Sequence, residues 1–166
     1  MAYNFYATPE TTHDVDFLVR LRGEEGKVSD LLQHLAPQGY QVEPLDVGHW
    51  MYRVHVKGQR IDLVDPLYFK YTRRAEIRRR SLRLKKIGTL FILSPEDLVV
   101  LHLAGALDAK KRNNADMMLK NLTRAVSLFV HRVKVGDFDE NYFLERAQEH
   151  GDQVYSQAVL LLRRKG

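Results

Sequence analysis

Two aspartates lie two residues apart near the start of the chain, within residues 11–19 (TTHDVDFLV). The residues after Asp14 alternate in a way that is typical of a strand with one wet and one buried face. Asp14 and Asp16 would then share a face, where their charges repel each other. A hard divalent cation with oxygen ligands relieves that repulsion, and Mg²⁺ is the usual choice beside phosphates. An Asp-x-Asp pair at a strand start is also common without a metal, so spacing alone leaves both interpretations open.

The composition bounds the class of protein. The 166 residues are 45% hydrophobic and 28% charged, as in a soluble globular protein, and they suffice for an ordinary core. Cysteine is absent, which excludes disulfides, thiolate zinc sites and cysteine nucleophiles. No apolar run approaches the length of a membrane span, and no leader pattern precedes the first strand. We therefore expect a cytoplasmic protein without a membrane partner.

Positive charge is concentrated in one segment, although the net charge of the whole chain is only +5. Residues 72–86 hold eight basic residues and a single acid, Glu76. The basic residues are Arg73, Arg74, Arg78, Arg79, Arg80, Arg83, Lys85 and Lys86. Such a basic stretch suits a polyanion, namely tRNA or another RNA, DNA, or a nucleotide polyphosphate. The alternative is a solvated helix face, and the charge pattern does not separate the two.

The order of the predicted elements indicates an α+β fold, with strands first and helices last. The elements of the first part are a strand over 14–21, a helix over 27–36, strands over 40–47, 50–56 and 60–64, a basic helix over 68–80 and an extended segment over 82–93. The strands on either side of Gly58 are predicted to form a hairpin. We treat residues 1–93 as an α/β core and residues 94–166 as helices packed on it in one compact unit.

The second part begins at a strong helix start. Ser94 can cap the helix, and Pro95 fits its first turn, while the two acids that follow complement the helix dipole. The residues up to 107 are apolar on nearly every side, so this helix should be central. Two shorter helices are predicted over 140–149 and 153–163. The long helix before them is predicted to carry five apolar residues on one face, namely Met118, Leu122, Ala125, Val126 and Phe129.

Three motifs, in this order, resemble the nucleotidyltransferase superfamily. They are residues 12–19 (THDVDFLV), 60–63 (RIDL) and 93–103 (LSPEDLVVLHL). The similarity covers about residues 2–122 and is greatest to small bacterial nucleotidyltransferase-like proteins, including those of toxin–antitoxin and abortive-infection systems. The resemblance implies a mixed β-sheet flanked by helices, with a C-terminal helical part.

The resemblance also implies a reaction. In that superfamily a paired carboxylate on the first strand and a third on a neighbouring strand hold Mg²⁺ against a nucleoside triphosphate. Here these residues are Asp14, Asp16 and Asp62, as both metal ligands and catalytic residues. The substrate is a nucleoside triphosphate (NTP), whose nucleoside monophosphate passes to an acceptor while pyrophosphate leaves. Apart from the resemblance, Asp62 lies in an otherwise apolar strand, where an unpaired charge is costly; the alternative is an edge-strand acid that faces water.

The sequence departs from the superfamily pattern at two points. Relatives have a Gly-Gly or Gly-Ser turn, after a helix, that cradles the triphosphate with open backbone amides. The chain begins where that turn would end, so we expect either an upstream start or a shortened, inactive member. At His102 relatives often carry a lysine that reaches a phosphate, and the alternative is a buried helix histidine. We assign His102, Arg73 and Arg74 as candidate nucleotide-binding residues.

Two functions follow as hypotheses. The first is Mg²⁺-dependent transfer of a nucleoside monophosphate from an NTP to an RNA or protein acceptor, with the RNA bound by the basic stretch over 73–86. The alternative is a catalytically degenerate family member that acts as an antitoxin-type or nucleic-acid-binding protein. A partner protein is an expected alternative to RNA. A homodimer through an exposed N-terminal edge is a further conjecture.

Overall fold

The computed structural model describes residues 3, 6, 7, 14–19, 30, 32–45, 51–66, 70, 73–85 and 88–164. These residues form a four-stranded mixed sheet, a two-stranded hairpin and a series of helices, which confirms the predicted α+β class. Backbone contacts divide the chain into two compact units. The first comprises residues 10–72 together with residue 1, and the second comprises residues 2–9 and 73–166.

The first unit contains the four-stranded sheet. Its strands are β1 (Asp14–Leu18), β2 (Gln41–Pro44), β3 (Met51–Val56) and β4 (Gln59–Val64). They lie in the order β1-β4-β3-β2, with β1 parallel to β4 and the other pairs antiparallel. Before β2, residues 32–35 are helical and continue into a 3₁₀ turn at Ala36–Gln38. Gly39 ends this turn in the left-handed conformation, with φ of 80°.

The predicted hairpin forms around Gly58. Lys57 and Gly58 have φ of 48° and 81°, so both central residues of the turn are left-handed, as a two-residue type I′ turn requires. This turn fixes the register of the hairpin by pairing Val56 with Gln59. Every later pair of β3 and β4 follows from it, including Arg53 opposite Asp62.

The two faces of the sheet differ in chemistry because paired positions on adjacent strands project to the same side. One face carries apolar side chains from all four strands, namely Phe17, Val42, Pro44, Tyr52, Val54, Ile61 and Leu63. The opposite face carries charged residues at its centre: Asp16, Glu43, Arg53 and Asp62. The sequence pattern of β4 therefore places Asp62 on the polar face, beside the buried Val64.

The basic stretch lies at the start of the longer segment of the second unit, residues 73–166. Helix α1 (Arg73–Arg78) is followed by a hairpin of β5 (Arg80–Leu84) and β6 (Gly88–Ile92). The prediction that the basic helix continues to Arg80 is wrong, because Arg80 is the first residue of β5 and pairs with Ile92. The extended conformation predicted for residues 82–93 is confirmed where the structure describes it.

Four helices complete the second unit: α2 (Pro95–Lys111), α3 (Ala115–Lys134), α4 (Glu140–Glu149) and α5 (Asp152–Arg163). Ser94 caps α2 as predicted, since its side chain accepts a hydrogen bond from the backbone N–H of Asp97 at 3.1 Å. Helix α2 is central, as expected, and buries residues on several sides. The core comprises Leu98, Val99, Val100, Leu103, Ala125, Leu128, Phe129, Phe143, Ala147, Val154 and Ala158, with Tyr3 and Tyr6. Of the apolar residues predicted to share one face of α3, Ala125 and Phe129 are buried, whereas Val126 is 43% exposed.

Candidate metal and nucleotide site

The parallel pairing of β1 with β4 brings two of the predicted carboxylates together. Asp16 lies directly opposite Asp62, and Asp14, two residues earlier, lies opposite Arg60. Neighbouring strands are separated by about 4.8 Å, so carboxylates at paired positions are within reach of one cation. Asp62 is buried, at 6% exposure, whereas Asp16 is exposed. The side chain of Asp14 lies outside the described part of the structure.

Arg53 holds Asp62 in a bidentate ion pair. Its Nε donates to Oδ1 of Asp62 and its Nη2 donates to Oδ2, both at 2.8 Å. The two parallel bonds match the planar fork of the guanidinium to the carboxylate, the strongest form of this contact. Sequence reasoning missed Arg53, although a signal was present. A two-residue turn at Lys57 and Gly58 places Arg53 opposite Asp62 by counting back along both strands.

A row of four charged side chains, one from each strand, crosses the sheet at the position of Asp62. It runs Asp16, Asp62, Arg53, Glu43 over the strands β1, β4, β3 and β2. Glu43 at the far end is exposed and lies 3.2 Å from Nε2 of His55. Arg53 is therefore flanked by a carboxylate on each neighbouring strand, and its bidentate ion pair is with the more buried one, Asp62.

The donor chemistry of this row suits a hard cation. Carboxylate oxygens are the ligands that Mg²⁺ prefers, and Asp16 and Asp62 present them at paired positions. However, Arg53 takes up both oxygens of Asp62, so a cation has to replace the guanidinium there. Across the residues for which the structure gives side chains, no three His, Asp or Glu groups are close enough to hold a metal ion.

His102 lies in α2 of the second unit. It is half-buried, and its Nδ1 is 3.1 Å from Oδ1 of Asn121 on α3. Its ring meets that of Tyr3 edge to face, with 5.9 Å between the ring centroids. These contacts fit a helix histidine that bridges α2 and α3. Its assignment to a phosphate stays a prediction.

Much of the basic stretch pairs with acids in the second unit. Arg74 bonds to Glu145 and lies 3.9 Å from Glu149, both on α4. Further pairs join Arg78 to Asp139, Arg79 to Glu76, and Arg80 to Asp137. Arg73, Arg83 and Lys85 are exposed, whereas Lys86 lies outside the described residues. The stretch therefore offers a polyanion fewer cations than its composition indicates.

Aromatic rings support two of these arginines. The guanidinium of Arg78 lies 4.5 Å from the centroid of the Tyr142 ring, and that of Arg79 lies 3.8 Å from that of Phe91. Asp139 accepts a hydrogen bond from the backbone N–H of Tyr142, which lowers the pKa of this carboxyl, and the bond from Arg78 lowers it further. These contacts keep part of the basic stretch folded against the start of α4.

A buried polar cluster joins α2 to α4, and sequence reasoning missed it. Asp97 and Arg146 are each 1% exposed, and Nε of Arg146 donates to Oδ1 of Asp97 at 2.7 Å. The hydroxyls of Ser94 and Tyr142 donate to Oδ2 of Asp97 at 2.8 and 3.0 Å. Burial raises the pKa of Tyr142 far above its ordinary value, and the negative charge of Asp97 raises it further. Arg146 also bonds to Glu149.

No protein-family model matches the sequence, and no curated protein matches it either. None of the helices in the described residues is long and apolar enough to cross a membrane. Because neither comparison indicates a function, we infer function from two sets of contacts, each within one unit. They are the charged row of the first unit and the polar contacts of the second unit.

Proposed function

We propose that this chain is a nucleotidyltransferase-like protein that binds an NTP with Mg²⁺ on β1 and β4 and transfers the nucleoside monophosphate to an RNA or protein acceptor. The observation that supports the proposal is the parallel register of Asp16 with Asp62, two residues after Asp14. A strand with paired carboxylates beside a strand with a third is the arrangement that the resemblance to this superfamily implies. The parallel pairing puts Asp16 and Asp62 on the same face of the sheet, and this juxtaposition is what supports the proposal.

Each carboxylate has a distinct role in this proposal. Asp14, Asp16 and Asp62 would hold the cation, which when bound compensates the negative charge of the phosphates and of the leaving pyrophosphate. Asp16 is exposed and faces solvent, from which a nucleotide arrives. Asp62 is buried and fixed by Arg53, so its position is set before any ligand binds.

The acceptor part of the proposal rests on the exposed cations of the basic stretch. Arg73, Arg83 and Lys85 are exposed cations that suit an RNA phosphate backbone. Arg74 is bonded to Glu145 and would have to exchange that partner to bind a phosphate. A protein acceptor remains part of the proposal because few cations of the basic stretch are exposed without an acidic partner in the described residues.

A second candidate is a catalytically degenerate family member that acts as an antitoxin-type or nucleic-acid-binding protein. The ion pair of Arg53 with Asp62 favours it, because both oxygens of the third carboxylate are satisfied without a metal. In this alternative the row of charges stabilises the sheet. Nucleotide binding is then weak or independent of Mg²⁺.

Label transfer separates the two candidates. Each of ATP, GTP, CTP and UTP, labelled at the α-phosphate, is incubated with Mg²⁺, total tRNA and the wild-type chain, and label on RNA or on protein is measured. We expect transfer with one of the nucleotides, its loss in Asp16→Asn and Asp62→Asn, and its retention in Asp108→Asn. Asp108 is an exposed aspartate in an i,i+4 pair with Arg112, so this variant controls for charge. Transfer by Asp62→Asn at the wild-type rate would contradict the proposed site.

A further inference from the structure

Arg53 is placed between two carboxylates on the same face of the sheet. Asp62 is its register partner on β4, and Glu43 is its register partner on β2. The guanidinium bonds to Asp62 through two hydrogen bonds of 2.8 Å. Directly opposite residues on adjacent antiparallel strands have Cβ atoms about 4.5–5.5 Å apart. The flexible stem of an arginine can therefore bring its head to either carboxylate.

We propose that Arg53 is a built-in counter-ion that competes with a divalent cation for Asp62 and moves to Glu43 when the cation binds. The inference rests on the proposed function, since it requires a cation to bind at Asp16 and Asp62. It assigns Arg53 a positioning role, because Arg53 acts on the cation through Asp62.

The first reason for the proposal is that the guanidinium of Arg53 already occupies both carboxylate oxygens of Asp62. A carboxylate coordinates a cation through the same lone pairs that accept hydrogen bonds from a guanidinium. Arg53 uses both oxygens of Asp62, so the cation and the guanidinium exclude each other there. Without Arg53, the buried Asp62 would face the charge of Asp16 across one strand spacing with no counter-charge from β3.

The second reason for the proposal is that Glu43 can receive the displaced guanidinium. It is exposed, and its carboxylate has one described hydrogen bond, to Nε2 of His55 at 3.2 Å. Glu43 can therefore accept the displaced guanidinium, which keeps a carboxylate partner throughout the exchange. The row of three carboxylates and one guanidinium has a net charge of −2 without a cation, so one bound divalent cation would neutralise it while Arg53 stays paired with Glu43.

The test is calorimetric titration of the full chain with MnCl₂ alone. Mn²⁺ takes the same oxygen ligands as Mg²⁺. Arg53→Gln should bind Mn²⁺ about tenfold more tightly than wild type, which corresponds to about 1.4 kcal/mol, because the competitor is gone. Glu43→Gln should bind more weakly, because the displaced guanidinium loses its second carboxylate. Lys57→Gln removes the same charge from the turn of the same hairpin and should bind like wild type.

The outcomes of this titration also distinguish the counter-ion role of Arg53 from the existence of the cation site. Equal or weaker binding in Arg53→Gln, with binding still lost in Asp62→Asn, overturns the counter-ion role and leaves the cation site standing. Absence of Mn²⁺ binding in both wild type and Arg53→Gln overturns the cation site and, with it, this inference. If Arg53→Gln does not fold, Arg53→Lys replaces it. Lysine keeps the charge but lacks the bidentate fork, so binding tighter than wild type is again expected.

Discussion

Removing the guanidinium of Arg146 should cost the second unit much of its stability. In Arg146→Met the apolar stem is replaced by a side chain of similar reach, while Asp97 loses its only charged partner among the described contacts. Asp97 is 1% exposed, so its charge has no water to replace the arginine. Breaking a buried ion pair from one side costs about 3–5 kcal/mol of unfolding free energy. For a chain of this size that lowers the melting temperature by roughly 6–20 °C.

The assay is urea unfolding followed by far-UV circular dichroism, with thermal melts as a second measure. Arg112→Met is the matched control, because Arg112 is an exposed arginine that pairs with Asp108 at 3.0 Å on the same helix-rich unit. We expect the control to stay within about 0.5 kcal/mol of wild type. Asp97→Asn should also be destabilising, since the amide leaves Arg146 as a buried cation without a carboxylate from α2.

The double variant Asp97→Asn/Arg146→Met completes a thermodynamic cycle. Because the two residues form one network, we expect the double variant to cost less than the sum of the single variants, by about 1–3 kcal/mol. An Arg146→Met protein as stable as wild type would show that the ion pair with Asp97 does not stabilise the second unit. Strictly additive costs would show that the two side chains do not act as a pair.

Three further predictions concern other parts of the second unit. Burial raises the pKa of Tyr6 from about 10 to about 12. The free energy of unfolding should therefore fall as pH rises from 10 to 12, because the tyrosine of the unfolded state releases its proton first. Tyr6→Phe should reduce that fall, measured as the urea midpoint at each pH. Ser94→Ala should cost about 1 kcal/mol in the same assay by removing the cap of α2, whereas Ser94→Thr should retain it. If RNA binds to Arg73, Arg83 and Lys85, anisotropy titrations in KCl should give a slope of log K against log [salt] of about −2 to −3.

Each of these has a contrary result. An unchanged pH dependence in Tyr6→Phe would mean that another group titrates in that range. A Ser94→Ala protein as stable as wild type would show that the cap and the bond to Asp97 contribute nothing measurable. A salt slope near −6 would mean that the paired arginines leave their acids and bind RNA, as the composition alone predicts.

Local sequence signals predicted the local elements well. Ser94 and Pro95 gave the start of α2 because capping depends on a few adjacent residues. Gly58 gave the hairpin because a left-handed turn favours glycine. In contrast, α1 ends before Arg80 because that residue pairs with Ile92 on β6, and strand pairing is a long-range contact that local propensity does not report.

The candidate site was only partly predictable for the same physical reason. The residue types and the resemblance indicated Asp14, Asp16 and Asp62, but only the parallel pairing of β1 with β4 places Asp16 opposite Asp62. Arg53 was overlooked because an arginine in a half-buried strand is ordinarily expected to face solvent. Only the pairing register of β3 with β4 shows that it lies opposite Asp62. The cluster around Asp97 was missed because it joins helices that are far apart in sequence.

Nucleotide binding with and without Mg²⁺ is the measurement that decides whether β1 and β4 form a nucleotide site. Wild type, Asp62→Asn and Asp108→Asn are titrated by calorimetry with ATP, GTP, CTP and UTP, each in Mg²⁺ and then in excess chelator. We expect wild type and Asp108→Asn to bind at least one nucleotide in Mg²⁺ only, and Asp62→Asn to lose this binding. Binding that survives the chelator, or that Asp62→Asn retains in full, would contradict the proposed Mg²⁺-dependent site.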